Sequence, residues 1–267
     1  MKRLKETIGF IGCGNMGSAI LEGLIRNKIV KPSQVFVYDP ATALLKKVRS
    51  QFKVHMCSSN KEVVHHSQIV ILAIKPQELR KVSTELRPML RKHVVVSILA
   101  GTPIQKVRSL LGRGVFIVRA MPNLGAKVGE SITALSGDSK AVQKGEVIFS
   151  GCGATIRLAE KYFDLVTAVS GSGPAYFFYL MELLVKFARA SGLSLGQANR
   201  LVVQTALGTG KLAKLAKESP EILRKRVTSK GGTTEAALSV LFAEGVARIF
   251  HRALTKAILK AKKLSKS

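Results

Sequence analysis

The sequence predicts an α/β protein in which a doubly wound, mostly parallel sheet is followed by an all-helical domain. Three observations predict this class. Short β-branched runs alternate with helical stretches from residue 7 to about residue 160, the β signal vanishes beyond that point, and a glycine cluster directly follows the first run. Strands that are apolar on both faces and separated by helices are typical of parallel sheets. We therefore expect two domains, 1–160 and 161–267.

The predicted sheet has six clear strands and a weaker seventh. They are Thr7–Ile11, Gln34–Tyr38, Ile69–Ile74, Val94–Ile98, Val115–Arg119 and Ile132–Leu135, with Ala154–Arg157 as the weaker one. The second half has three long stretches with apolar residues at helical spacing, which predicts that it is helical. They span Pro174–Ser191, Leu195–Lys217 and Thr234–Lys263.

The helical stretch AYFFYLMELLVKFARA (175–190) is apolar around most of its circumference. A helix of this kind has to be buried nearly all round. In a domain of this size, a second copy of the chain is the simplest cover. The second domain is therefore predicted to form an intertwined homodimer. A higher homo-oligomer built from such dimers is also compatible with the sequence.

The chain is strongly basic, with 43 Lys and Arg against 16 Asp and Glu and a net charge of +27. Three interpretations are open: a basic solvated surface, steering of an anionic cofactor, or nucleic-acid binding. Because the cations are spread along the chain and Trp is absent, we favour the first and expect no nucleic-acid partner.

Other composition features exclude further classes. The 3 Cys and 5 His show no metal-ligand spacing, so no metal is expected. The first residues lack the apolar region of a signal peptide, and no run of 18 apolar residues occurs. We expect a cytoplasmic protein without a membrane segment.

The glycine cluster reads Gly12-x-Gly14-x-x-Gly17, between the first strand and a helix. In this context Gly12 permits a tight turn, Gly14 lets the backbone approach a diphosphate, and Gly17 packs the helix on the strand. Amides at the helix start favour an anion. The pattern predicts a Rossmann-type dinucleotide-binding domain.

The second strand ends in Asp39, 22 residues after Gly17. An acidic residue there accepts hydrogen bonds from the adenine ribose and favours NAD. Lys46 and Lys47 follow and offer cations for a 2′-phosphate, although an exposed helix face explains them equally well. The choice between NADH and NADPH stays open.

Two further segments end strands of the predicted sheet, LAIKPQ (72–77) and SILAGT (97–102). The carboxyl ends of parallel strands form the ligand crevice. Lys75 meets a phosphate there or is solvated, Pro76 fixes its turn, and Gly101 allows close approach.

Taken together, the motifs resemble those of the pyrroline-5-carboxylate reductases. The cofactor-side segments are IGCGNMG, SSNKEVV with Asn60, LAIKPQ, SILAGT and RAMPN (119–123). Two more specific signatures follow, DLVTAVSGSGPAYFF (164–178) and VTSKGGTTEAAL (227–238). The resemblance covers roughly residues 7–260 and implies reduction of 1-pyrroline-5-carboxylate to L-proline with NADPH or NADH.

The resemblance also assigns site residues. Those for the cofactor are Gly12, Gly14, Asn15, Met16, Gly17, Asp39, Asn60, Ala73, Ile74, Lys75, Pro76, Ala100 and Gly101. Those for the imino-acid substrate are Met121, Pro122, Asn123, Ser229, Gly231, Gly232, Thr233 and Thr234. The hydroxyl of Thr234 is expected to reach the substrate nitrogen as the catalytic group, its alternative being to cap the following helix.

The sequence departs from the family pattern at three places. Leu124-Gly125 replaces the usual Thr-Pro, Pro40 stands where a basic residue is frequent, and Lys230 replaces a frequent proline. The competing enzyme class is a β-hydroxyacid dehydrogenase, for which Gly208-x-Gly210-Lys211 is a superficial match that lacks the required Asn.

Overall fold

The computed structural model describes residues 2–266, which form two compact units. One contains the chain up to Ser172 together with Ala257 onward, and the other is Gly173–Lys256. This division differs from the expected boundary at 160/161. Residues 161–172 and the end of the last helix group with the sheet, whereas the sequence pattern placed both with the helices.

The first unit is built on an eight-stranded sheet with the order β3-β2-β1-β4-β5-β6-β7-β8. Its strands are β1 Ile8–Ile11, β2 Val35–Tyr38, β3 His55–Met56, β4 Ile69–Leu72, β5 Val94–Ser97, β6 Phe116–Met121, β7 Ser131–Gly137 and β8 Gly153–Arg157. The pairing is parallel except between β6 and β7. The predicted doubly wound, mostly parallel sheet is therefore confirmed.

Helices cover both faces of this sheet. They are α1 Asn15–Arg26, α2 Thr42–Phe52, α3 Asn60–His66, α4 Leu79–Leu86, α5 Ile104–Leu111, α6 Ser139–Ser150 and α7 Phe163–Val166. Strands β1, β4 and β5 are buried at every residue. Their side chains alternate between two hydrophobic clusters, one around Phe10 and one around Ile11.

One strand was not predicted from the sequence. The edge strand β3 pairs only two residues, His55 and Met56, with β2. A run of two residues shows no periodicity, so no local signal predicts it.

The second unit is helical, as predicted. The helices after α7 are α8 Gly173–Ala190, α9 Leu195–Leu215, α10 Pro220–Arg226, α11 Thr233–Ala243 and α12 Val246–Lys266, the last of which continues into the first unit. The stretch Thr234–Lys263, predicted to be helical, forms two helices, α11 and α12. Gly245, with φ +66°, turns the chain between α11 and α12, and apolar periodicity runs through such a one-residue break.

Within this single chain α8 exposes large apolar side chains along most of its length. Phe177 is 68% and Phe187 is 74% exposed. The side chains that make α8 apolar all round therefore lack cover from the described part of their own chain, as expected of a dimerisation surface.

Candidate functional site

The glycine turn between β1 and α1 is held by close backbone contacts. Gly12 has φ +98°, and a Cβ on it would lie 2.5 Å from the carbonyl oxygen of Ala73. A Cβ on Gly17 would lie 2.5 Å from the carbonyl oxygen of Gly12. Both positions therefore require glycine for the fold itself.

Gly14 differs, because a Cβ placed on it meets nothing within 4 Å. It is the N-cap of α1 and provides no side-chain cap to the first amides of that helix. The Nζ of Lys127 lies 3.5 Å from the Oδ1 of Asn15 and adds a cation beside the turn. Open space, uncapped amides and a nearby cation fit the diphosphate of a dinucleotide.

A cavity of about 270 Å³ adjoins this turn. It is lined by Cys13, Gly14, Asn15, Ser18, Ala19, Glu22, Leu44, Lys47, Val48, Gln51, Phe52 and Lys127. The hydroxyl of Ser18 donates to the carbonyl of Cys13 at 2.6 Å and so holds the turn against α1. The space lies between α1 and α2.

Asp39 ties the glycine turn to the loop after β2. Its Oδ2 accepts the amide of Cys13 at 2.8 Å, and its Oδ1 accepts the amide of Ala41 at 2.9 Å. The two lysines that follow line different spaces. Lys47 lines the cavity beside Gly14, whereas Lys46 lines a groove along β3.

The ends of β4 and β5 place the other expected cofactor residues. Ala73 and Ile74 are half-buried, and Lys75 and Pro76 are exposed at the start of a 3-10 turn. Gly101, next to Ala100, is buried with φ +64°. All of these residues lie in the first unit.

Asn60, the first residue of α3, is buried, and its side chain is already engaged. Its Nδ2 donates to the Oε2 of Glu85 at 2.8 Å. This bond fixes the orientation of the side-chain amide.

The end of β6 carries Met121, Pro122 and Asn123. The side chain of Asn123 accepts the amide of Gly125 at 3.1 Å through Oδ1 and donates to the hydroxyl of Ser170 at 3.1 Å. These bonds connect the end of β6 to a π-helical turn, Thr167–Gly171. Single π turns occur frequently at functional sites.

The departure at Leu124-Gly125 has a structural reason. The two residues open a 3-10 turn, Leu124–Val128, and a Cβ on Gly125 would lie 2.5 Å from the carbonyl oxygen of Glu130. Glycine is thus required by this form of the loop.

An ion pair escaped the sequence reasoning. Arg119, only 5% exposed, donates to the Oε1 of Glu160 at 3.0 Å and lies 4.7 Å from the centre of the Phe163 ring. The same carboxylate oxygen accepts the amide of Ile104 at 2.7 Å. The available signal was a single arginine within the apolar run FIVRAM.

The Gly-Gly-Thr-Thr turn lies in the helical unit. The amide of Gly231 donates to the Oε2 of Glu235 at 2.7 Å, and the amide of Gly232 donates to the carbonyl of Ser229 at 3.1 Å. The glycine amides are therefore used within the turn. The amides that α11 itself leaves unsatisfied belong to its first three residues, Thr233, Thr234 and Glu235.

The alternative function of the threonines as helix caps is wrong. Gly232 is the N-cap of α11, and no side chain caps it. Thr234 is half-buried at the second helical position. Its hydroxyl therefore makes no N-capping hydrogen bond to α11.

The three cysteines are free and buried. Burial raises the pKa of the Cys13 and Cys152 thiols to about 12 and that of Cys57 to about 11. Across residues 2–266, no group of three or more His, Cys, Asp and Glu side chains is arranged to hold a metal. No helix in that part of the chain is long and apolar enough to cross a bilayer.

A Rossmann-type domain with an open glycine turn, joined to a helical unit, defines a dinucleotide-dependent oxidoreductase. The family model for pyrroline-5-carboxylate reductase dimerisation matches residues 160–264, and that for coenzyme F420-dependent NADP oxidoreductase matches residues 7–101. The pyrroline-5-carboxylate reductase of Pseudomonas aeruginosa is 37% identical, covering 97% of this chain and 96% of that protein. The chain belongs to the pyrroline-5-carboxylate reductase family.

Solved structures agree with this assignment. The pyrroline-5-carboxylate reductase of Coxiella burnetii has a TM-score of 0.92 and 35% identity, covering 99% of this chain and 100% of that one. The Plasmodium falciparum pyrroline carboxylate reductase with NADP bound has a TM-score of 0.88 and 29% identity, covering 98% and 99%.

Proposed function

We infer that this chain reduces 1-pyrroline-5-carboxylate to L-proline with NAD(P)H, the last step of proline biosynthesis. Its membership of the reductase family over nearly the whole chain supports the reaction. The observation that carries the cofactor part is the open, uncapped turn at Gly14.

The reaction makes modest demands on the protein. When bound, the reduced nicotinamide supplies the hydride that the imine carbon accepts. A protonated imine is already electrophilic, so no strong catalytic acid is needed. Proximity and orientation supply most of the rate gain in such a site.

We assign the dinucleotide to the first unit. The amides at the start of α1 hold the diphosphate beside Gly14, with Lys127 as a neighbouring cation. Asp39 lies at the ribose end, where its carboxylate is fixed by the hydrogen bonds that it accepts from two backbone amides. We assign Met121, Pro122 and Asn123, at the end of β6, to the nicotinamide ring.

We assign the substrate carboxylate to the start of α11. The amides of Thr233 and Thr234 and the positive end of the helix dipole favour a carboxylate. Ser229, Gly231 and Gly232 shape the turn, and a Cβ on Gly231 would meet nothing within 4 Å, which leaves room beside it. The hydroxyl of Thr234 holds the ring nitrogen.

The setting of the reaction completes the proposal. We propose a homodimer acting in the cytoplasm on a small imino acid, without a nucleic-acid partner. Free, buried thiols are typical of a reducing compartment. The exposed apolar side chains of α8 support assembly with a second copy.

The test is turnover of 1-pyrroline-5-carboxylate with NADH and NADPH in parallel. Turnover is measured as the loss of absorbance of the reduced nicotinamide. We expect turnover with at least one coenzyme and formation of L-proline. A β-hydroxyacid with NAD⁺ or NADP⁺ serves as the control and should give none. Turnover of the β-hydroxyacid alone would overturn the proposal.

A further inference from the structure

The turn between β5 and α5 is buried by the end of the same chain. Gly101, with φ +64°, lies in this turn, and Thr102 beside it is only 2% exposed. A Cβ on Gly101 would lie 2.8 Å from the Cβ of Leu264 and 3.1 Å from its carbonyl carbon. The close approach at Gly101 is therefore to the last turns of α12.

The end of α12 is itself anchored. Ala261 is 4% exposed, and the hydroxyl of Ser265 donates to the Oδ1 of Asp164 at 3.3 Å. Asp164 belongs to α7, directly after the turn that carries Glu160. The contact thus joins two parts of the first unit that are separated by about a hundred residues in sequence.

The same region holds the other end of the turn. Glu160 accepts the amide of Ile104, the first residue of α5, at 2.7 Å. The turn is therefore fixed at Gly101 by α12 and at Ile104 by Glu160. Without these contacts the turn would exchange among several conformations, because glycine restricts the backbone less than any other residue.

We propose that the last turns of α12, Ala257–Ser265, are a positioning element for the coenzyme site. They hold the Ala100–Thr102 turn in one conformation, so the C-terminal end of the chain sets the affinity for the dinucleotide. This rests on the proposed coenzyme-dependent function and on the coenzyme contacts of Ala100 and Gly101 that the family resemblance implies. If only a fraction of the molecules has the binding-competent conformation, the apparent Kd equals the intrinsic Kd divided by that fraction.

The first test is deletion of residues 261–267, with Lys262→Ala/Lys263→Ala as a matched control that alters only exposed side chains of the same segment. We expect the deletion to raise the Kd for NAD(P)H, measured by fluorescence, about fivefold. We expect kcat at saturation to change less than about twofold. The control should match the parent.

A second readout needs no coenzyme. Amide hydrogen exchange at residues 99–103 should be faster in the deletion variant than in the parent, while exchange in β1 and β4 stays unchanged. An unchanged Kd and unchanged exchange in a folded deletion variant would overturn the proposal. The parent's turnover with the imine tests the function separately.

If the deletion prevents folding, Gly101→Ala and Ser265→Ala give the same answer. Gly101→Ala places a methyl group where Leu264 lies, whereas Ser265→Ala releases the bond to Asp164. We expect their effects on the Kd to be non-additive, because both displace the same end of α12 from the turn. Additive effects would show that α12 does not act through the turn.

Discussion

Gly12 and Gly14 stand two residues apart in one motif, yet they are glycine for different reasons. Gly12 is required by the fold, since it has φ +98° and lies against the carbonyl of Ala73. Gly14 has open space where its Cβ would be. Only the second position is free to serve a ligand.

We predict that Gly14→Ala folds normally and raises the Kd for NAD(P)H about tenfold, because the methyl group occupies space beside the diphosphate. Gly12→Ala should instead lower the free energy of unfolding, by about 1–3 kcal/mol. Coenzyme titration and urea denaturation distinguish the two. Equal losses of stability in both variants would contradict the difference.

Thr234 is the residue proposed to contact the substrate nitrogen. We predict that Thr234→Ala lowers kcat/KM for the imine about tenfold or more, a loss of one hydrogen bond to a charged group. The Kd for NAD(P)H should stay within a factor of about two. Thr234→Ser keeps the hydroxyl and should restore most of the rate. A fall in coenzyme affinity with unchanged turnover per bound coenzyme would disprove the assigned contact.

The buried thiols give a prediction about reactivity. Because burial holds the pKa of Cys13 and Cys152 at about 12 and that of Cys57 at about 11, each stays protonated at pH 8. We expect no thiol to react with a disulfide reagent at pH 8 until the protein is unfolded. Rapid reaction of the native protein would contradict this.

At the level of elements, the most informative contact is the pair between β6 and the turn before α7. The side chain of Arg119 is 7% exposed, whereas that of Glu160 is 33% exposed. Removing the carboxylate leaves a buried cation without its partner. Removing the cation leaves a carboxylate that water and the amide of Ile104 still satisfy.

We therefore predict an asymmetry between the two substitutions. Glu160→Ala should lower the free energy of unfolding by about 3 kcal/mol, and Arg119→Met by about half as much, since methionine refills the apolar space over Phe163. Urea denaturation at one fixed protein concentration measures both. A larger loss for Arg119→Met would show that the cation–ring contact dominates.

Elements differ in how far the sequence could predict them. Six strands and the glycine turn were visible because buried parallel strands read as continuous apolar runs. The edge strand His55–Met56 and the break at Gly245 were not visible, since each depends on one or two residues. In the Gly-Gly-Thr-Thr turn, the bond from the Gly231 amide to Glu235 was not visible either, since it depends on the backbone conformation of the turn.

At the scale of the whole molecule, the net charge affects coenzyme association, whereas the apolar surface affects assembly. The net charge of +27 doubles in a homodimer and favours approach of an anionic dinucleotide at low ionic strength. We predict that the association rate for NAD(P)H falls as salt rises from about 10 to 150 mM, because the Debye length shortens from about 30 to 8 Å. Stopped-flow fluorescence measures this rate. A salt-independent rate would assign the charge to the solvated surface alone.

In a single chain, α8 exposes large aromatic side chains to water. Phe177, Phe178 and Phe187 are each more than half exposed in one chain. Burying an aromatic side chain contributes about 1.5–3 kcal/mol, so three rings per copy favour association strongly.

We predict an obligate homodimer that a charge on this surface disrupts. Phe187→Glu should give monomer or aggregate in sedimentation velocity and abolish turnover. Lys186→Ala, which removes an exposed cation paired with Glu182 on the same helix, should leave the dimer intact because exposed i,i+4 pairs contribute only about 0.3–0.5 kcal/mol. A stable, active monomer of the Phe187→Glu variant would show that α8 is covered by something other than a second copy of this chain.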